Sequence, residues 1–385
     1  MEKLSRQAIA ELLKQTKGPL VTMYIPMITS ASPPHMSENQ LRLKNTFTKA
    51  IQTLKKEHGS GSLASQLREQ LDKALNDYHF WEDQTEGLLV CASPNAIRMF
   101  HLPIDTEAYV AIDDIYHLAP VLALVHDAVS YYVLSIAQHE PKLFSGDMYD
   151  LTEVSLGLPH DIKQALHLDE ANPRGEQSRS ASGSQTSSTS FNGRGSGRDP
   201  RDDMRVQFFR HIDHLICNAT DTTLPLILAG TDSEIAEYRS ISKYPHLLGQ
   251  AITGSLSGVK THDVKDKALR IIQHNLIAAR HDEAIQSFQQ LQGTQPKLTA
   301  TDSRAISAAT EQGQVGTLLI NFSRTTADTV RETTKQVQRL TFPRPHISKL
   351  INKVAHFVEK GSGTIVNVES PLLSKDAAMA AILRY

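Results

Sequence analysis

The side chains best suited to chemistry cluster in one unusual stretch, residues 172–203, which is rich in Ser, Gly and Arg and almost free of aliphatic residues. It holds Gly193-Arg194-Gly195-Ser196-Gly197, with Arg174, Arg179, Arg198 and Arg201 around it and Arg205 just beyond. Glu176, Asp199, Asp202 and Asp203 offset only part of that charge. A guanidinium fork suits phosphate oxygens better than a point charge does. Glycine lets a backbone follow a nucleic-acid strand closely. Arg179, Gly193, Arg194, Gly195, Gly197, Arg198, Arg201 and Arg205 are therefore the candidate RNA-binding residues.

Other chemistries lack their motifs. No Gly-rich loop runs into Lys-Ser or Lys-Thr, and no Gly-x-Gly-x-x-Gly opens a helix after a strand. No Gly-x-Ser-x-Gly elbow occurs. His160 and His167 stand seven apart and no His-Glu-x-x-His is present, so no metal site and no cofactor are expected. Cys91 lies in an apolar run and reads as an inert buried thiol.

The elements around the loop alternate helix and strand. Met1–Thr16 reads as an amphipathic helix and not as a signal peptide. Leu20–Ile25 reads as a strand, and Ser37 as the cap of a helix through Leu41, Phe47, Ile51 and Leu54. A second helix is expected over Leu63–Tyr78 and a buried strand over Gly87–Cys91. Pro120–Val125 and Val129–Ile136 both read as strands, followed by Lys142–Gly146 and Leu151–Ser155. A loop as long and polar as 172–203 cannot offset its ordering entropy by burial and is expected to be mobile. Beyond it, Met204–Asn218 reads as a helix with Val206, Phe209, Ile212 and Ile216 on one face. Leu224–Ala229 follows as a strand, and Asp232 as a cap. A long helix is expected over Asp263–Leu291, with Asp302 capping another that stops at Gly313. Val315–Ile320 and Thr364–Val368 read as strands around a helix over Ile347–Glu359.

The 385 residues suggest two or three domains. The net charge of -2 argues against global affinity for nucleic acid, so RNA contact has to come from local patches. Two cysteines make no disulfide framework, and no apolar run reaches the roughly 18 residues of a membrane span. A reduced, cytoplasmic monomer that does not enter membranes is expected.

Three places resemble the archaeal and eukaryotic class-I peptide-chain release factors and their relative Pelota. Ala377-Ala-Met-Ala-Ala-Ile-Leu-Arg-Tyr385 is similar to the closing strand of that family. Ala305–Gly313 with Val315–Ile320 resembles another part of its third domain. Val129–Gly146 and Thr152–Leu158 resemble the strands that lead to its catalytic Gly-Gly-Gln loop. In this chain Gly193–Gly197 stands at that loop, with Arg205-Val-Gln-Phe-Phe-Arg210 on the helix after it. Gly197 replaces the glutamine, and glycine has no side chain to position a water. The family's stop-codon-reading motifs survive only as Asn39 and Cys91.

The resemblance implies a mixed α/β and α+β fold with a three-domain, release-factor-like architecture. Its parts are an N-terminal α/β domain over 1–117, a β-rich middle domain over 118–255 carrying the loop, and a C-terminal ribosomal-protein-like α/β/α domain over 256–385. It implies partnership with the ribosome at the A site, through 16S and 23S rRNA, and with EF-Tu. Asn39, Arg42, Lys44 and Lys49 are the expected contacts to the decoding centre. The bacterial branch of the family includes a ribosome hibernation factor, and a non-catalytic role of that kind is expected. Two alternatives stand beside it: a peptidyl-tRNA hydrolase using Gln185, and a generic RNA-binding adaptor.

Overall fold

The computed structural model describes residues 2–15, 18–29, 33–59, 61–82, 84–136, 140–159, 200–254, 259–330, 333–342, 345–368, 373 and 379–385. The chain divides into two compact units. A split unit joins Met1–Ala128 with Leu276–Tyr385, and a middle unit covers Val129–Asn275. Sequence reasoning put the divisions near 117/118 and 255/256.

The first half of the split unit runs β1 (Glu2–Lys3), α1 (Arg6–Leu13), β2 (Leu20–Pro26), α2 (Pro33–His58), α3 (Gly61–Asn76), α4 (Tyr78–Glu82), β3 (Gly87–Ala92), β4 (Ile97–Leu102), β5 (Asp105–Thr106), β6 (Tyr109–Asp113) and α5 (Ala119–Asp127). Five strands form a sheet in the order β1-β4-β3-β2-β6. Successive strand residues face opposite sides. Val21, Met23 and Ile25 share one core with Leu43, Phe47, Ile51 and Leu54 of α2 and Leu63, Leu67 and Leu71 of α3. Burying each such side chain is worth about 1.5–3 kcal/mol. On the other face the Tyr24 hydroxyl donates to the His117 carbonyl at 2.8 Å, and the His117 amide donates to Thr22 Oγ1 at 3.0 Å.

Several expected elements change here. The opening helix is shorter and follows a two-residue strand; its cap is Ser5, whose hydroxyl accepts from the Ala8 amide at 3.1 Å. Helix α2 begins at Pro33, upstream of Ser37, because proline is tolerated in a first turn, where the amide has no partner. Pro120–Val125 is the helix α5 and not a strand. The run is apolar throughout, so periodicity could not separate the two, and Pro120 again sits at a helix start.

The middle unit holds β7 (Tyr131–Ser135), β8 (Lys142–Gly146), β9 (Leu151–Val154), α6 (Pro200–Ala219), β10 (Leu226–Gly230), α7 (Asp232–Ile241), β11 (Leu247–Thr253) and α8 (Thr261–Ile272). Its sheet order is β11-β10-β7-β8-β9. Leu134, Ile136, Leu226 and Leu228 pack with Phe208, Phe209, Ile212 and Ile216 of α6 and with Ile235 and Tyr238 of α7. Helix α8 lies against β9 and β11. The unit read as β-rich thus carries three helices among its described residues. The cap of α7 is Thr231 and not Asp232, in a reciprocal box with Glu234. Of the loop 172–203, residues 172–199 lie outside the described residues, and 200–203 form the first turn of α6.

The chain returns to the split unit through a π-helical turn, Gln273–Ile277, that interrupts the expected long helix. There follow α9 (Ala278–Thr294), β12 (Thr299–Ala300), α10 (Ser303–Glu311), β13 (Val315–Ile320), β14 (Ser323–Val330), β15 (Thr333–Leu340), α11 (Pro345–Lys360), β16 (Thr364–Asn367) and β17 (Met379–Leu383). A sheet of order β12-β17-β13-β16 takes Phe288 of α9 on one face, against Leu319, Val366 and Ala380. Helices α10 and α11 also pack on strands of this sheet. Asp302 caps α10 as expected, and Gly313 takes a φ of 68° after it, a region few other residues enter freely. Helix α5 packs on β16 and α11, and β5 pairs with β15. These contacts tie residues from the two ends of the chain into one unit.

Candidate functional site

The expected RNA-binding residues are placed unequally. Arg179, Gly193, Arg194, Gly195, Gly197 and Arg198, with Gln185, lie outside the described residues. Arg201 falls in the first turn of α6, and its side chain is outside them too. Arg205 is described, and its Nε donates to Glu237 of α7. The turn of α6 swings it toward that helix, so it joins two elements and its charge is offset. Arg205, expected among the RNA contacts, is thus paired with Glu237.

About two turns further along, Asp213 is 4% exposed and faces inward. It accepts from the Tyr238 hydroxyl at 3.0 Å, the Ser242 hydroxyl at 2.6 Å and the Lys243 amide at 2.9 Å. Burial, and then the Asp213 charge, push the Tyr238 phenol far above its ordinary value. The carboxylate is a buried hub that fixes α6 against α7 and the turn after it. Sequence alone offered no signal for this, because the partners are 25 to 30 residues away.

The residues expected at the decoding centre all sit on α2, and they split by face. Asn39 is 2% exposed. Its side-chain oxygen accepts from the Ile28 amide at 2.8 Å and its amide donates to the Ile28 carbonyl at 2.8 Å. It clamps the chain leaving β2 and has no surface to offer, which corrects its assignment as a contact. Arg42 is half-buried, paired with Glu38 and reaching the Pro26 carbonyl at 3.4 Å. Lys44 and Lys49 are exposed, as are Lys55 and Lys56 further along the helix. None of these four lysines has an ion-pair partner among the described residues.

Two polar groupings in the split unit escaped sequence reasoning. The Tyr109 hydroxyl lies 2.8 Å from His117 Nδ1 and 3.0 Å from Ser348 Oγ. His117 Nε2 is 3.3 Å from Asp113, which also takes the Lys349 ammonium at 2.6 Å. Burial opposes ionisation of Asp113, but the bonds from His117, Asp114 and Lys349 prevail and hold its carboxyl far below the usual range. The second grouping borders a cleft of about 350 Å³ between α5, α9 and the C-terminal sheet. There His126 meets Glu359 at 2.7 Å and His281 meets Asp127 at 2.8 Å. Both groupings read as ties between distant segments, with their polar atoms paired. Among the described residues no three His, Cys, Asp or Glu side chains converge as a metal site requires, and no helix is long and apolar enough to cross a membrane.

Comparison with known proteins agrees with the division of the chain. Residues 131–274, nearly the whole middle unit, match the model of bacterial archaeo-eukaryotic release factor family 7. No curated protein matches. Among solved structures, the archaeal translation termination factor aRF1 is 15% identical over 100% of this chain and 99% of its own, with a TM-score of 0.24. Pelota of Archaeoglobus fulgidus is 11% identical over 78% and 79%, with a TM-score of 0.34. Dom34 of S. cerevisiae, a translation termination-like factor, is 11% identical over 75% and 72%, with a TM-score of 0.32. The middle unit is thus similar, over 131–274, to a bacterial family of archaeo-eukaryotic release factors.

Proposed function

We propose that this protein is a ribosome-binding factor that occupies the A site of idle ribosomes without hydrolysing peptidyl-tRNA. The observation that carries the reading is the family match over 131–274, combined with Gly197 where the resemblance expects the catalytic glutamine. A release-factor middle domain without that side chain can still fill its place on the ribosome, but has nothing at the loop to orient a water. Its resemblance is to the hibernation factor Balon, with EF-Tu as the companion GTPase and 16S and 23S rRNA as the surfaces bound.

The free lysines of α2 support the same reading. Lys44, Lys49, Lys55 and Lys56 span twelve helical steps from first to last, or about 18 Å at 1.5 Å per residue. That is a local cationic face on a chain of net charge -2. Such a face suits phosphates without reading sequence, as occupancy independent of the codon requires.

The test is sedimentation with bacterial ribosomes that carry labelled peptidyl-tRNA in the P site and an empty A site. Co-sedimentation that A-site tRNA displaces, with the peptide still attached, is the expected result. Release of the peptide would make the protein a hydrolase, with Gln185→Ala as the first variant to make. Absence of binding at low salt, with EF-Tu present, would overturn the ribosomal reading.

A further inference from the structure

We infer that the outer face of α6, with Lys243 beside it, is an RNA-backbone contact surface of the middle unit; the inference rests on the ribosome-binding reading above.

The residues of α6 sort cleanly by face. Phe208, Phe209, Ile212, Asp213 and Ile216 are buried. Gln207, Arg210, His211, His214 and Asn218 are exposed. At 100° per residue these five fall within a stripe about 100° wide and about 16 Å long. Every one of them can donate a hydrogen bond. From Met204 onward the only carboxylate on the helix is Asp213, and it is turned inward with its oxygens engaged. In a chain with 42 acidic residues against 40 basic ones, an exposed stripe without an acid from Gln207 to Asn218 is a distinct patch.

Neighbouring elements leave that face cationic. Glu237 of α7 is occupied by Arg205. The Lys243 amide is bonded to Asp213, and the Lys243 charge is felt at Cys217, on the same helix. Neither Arg210 nor Lys243 has an ion-pair partner among the described residues. Asp221 stands beyond the helix end, where its carboxylate accepts from the Thr223 amide at 3.0 Å and from its hydroxyl. Duplex nucleic acid carries one phosphate per about 3.4 Å along each strand, so a stripe of this length faces four or five. Donors of mixed type with two exposed cations suit phosphate and sugar oxygens.

The experiment uses the full chain and 70S ribosomes, with binding measured across a salt series. Arg210→Ala combined with Lys243→Ala is expected to weaken binding at least tenfold near physiological salt and to lower the slope of log affinity on log salt by about two. The melting temperature should not move, since both side chains are exposed. A photo-crosslinker placed at Gln207 should capture rRNA. If the wild-type chain binds ribosomes while the double variant keeps its affinity and slope, the stripe is not a contact. Capture of a ribosomal protein in place of rRNA would also overturn the inference. If the wild-type chain itself does not bind, the ribosomal reading has failed, and this inference falls with it.

Discussion

A histidine buried without a hydrogen-bonding carboxylate ties stability to pH. His356 of α11 is 7% exposed. Burial, and then the nearby Lys360, push its imidazole down to about 4. In the unfolded chain a histidine titrates near 6.5. Between those values the unfolded state binds the extra proton, so stability falls as pH is lowered from about 6.5 to about 4, by up to about 3 kcal/mol. Below about pH 4 a second loss begins, as Asp113, whose carboxyl is held down in the folded chain, is forced to take a proton. Urea unfolding across this range should show both phases, and His356→Gln should flatten the upper one alone. An unchanged upper slope in that variant would place the titrating group elsewhere. Asn39 carries another lesson at this scale. Its residue type suggested a surface contact, while its hydrogen bonds to Ile28 make it a clamp.

Elements are held by close approach as well as by polar bonds. Gly146 ends β8, and a Cβ built there would stand 2.6 Å from the Tyr131 ring and 2.9 Å from Leu151. The ring is fully buried in β7. Gly146→Ala therefore has to displace it or part the strands, and is expected to cost about 1–3 kcal/mol. Chemical denaturation of the full chain checks this; a loss below about 0.5 kcal/mol would mean that the strand pair yields easily. Burial patterning was legible from the sequence for most helices and strands. It failed at α5, where the all-apolar run of seven residues, Ala119–Val125, hides its period. It also passed over the π-helical turn at Gln273–Ile277, which leaves no mark on a helical pattern.

At the scale of the molecule, the first 128 residues and the last 110 form one unit. The Ala119 amide donates to Asn352 Oδ1 at 2.7 Å, Asp113 takes Lys349, and Tyr109 stacks on Phe342 with ring centres 4.1 Å apart. A chain ending at residue 340 lacks all three partners. It is expected to lose cooperative folding of residues 1–128 as well, because buried polar groups left unpaired cost about 1–3 kcal/mol each. Well-dispersed amide resonances from residues 1–128 in that truncated chain would show that the segment is an independent domain.

The sequence by itself determined the resemblance to release factors, the alternation of elements and the glycine at position 197, because each is written in local residue order: Gly193–Gly197, the closing strand at Met379–Leu383, and the buried face of α6. Only the tertiary structure decided which charged residues are free. Arg205, Asp213 and Asn39 look alike in a string of polar residues, yet one is paired across helices, one is a buried hub and one faces the core. A hydrogen bond joins atoms by distance in space, and partners up to about 240 positions apart, such as Tyr109 and Ser348, leave no trace in spacing or composition.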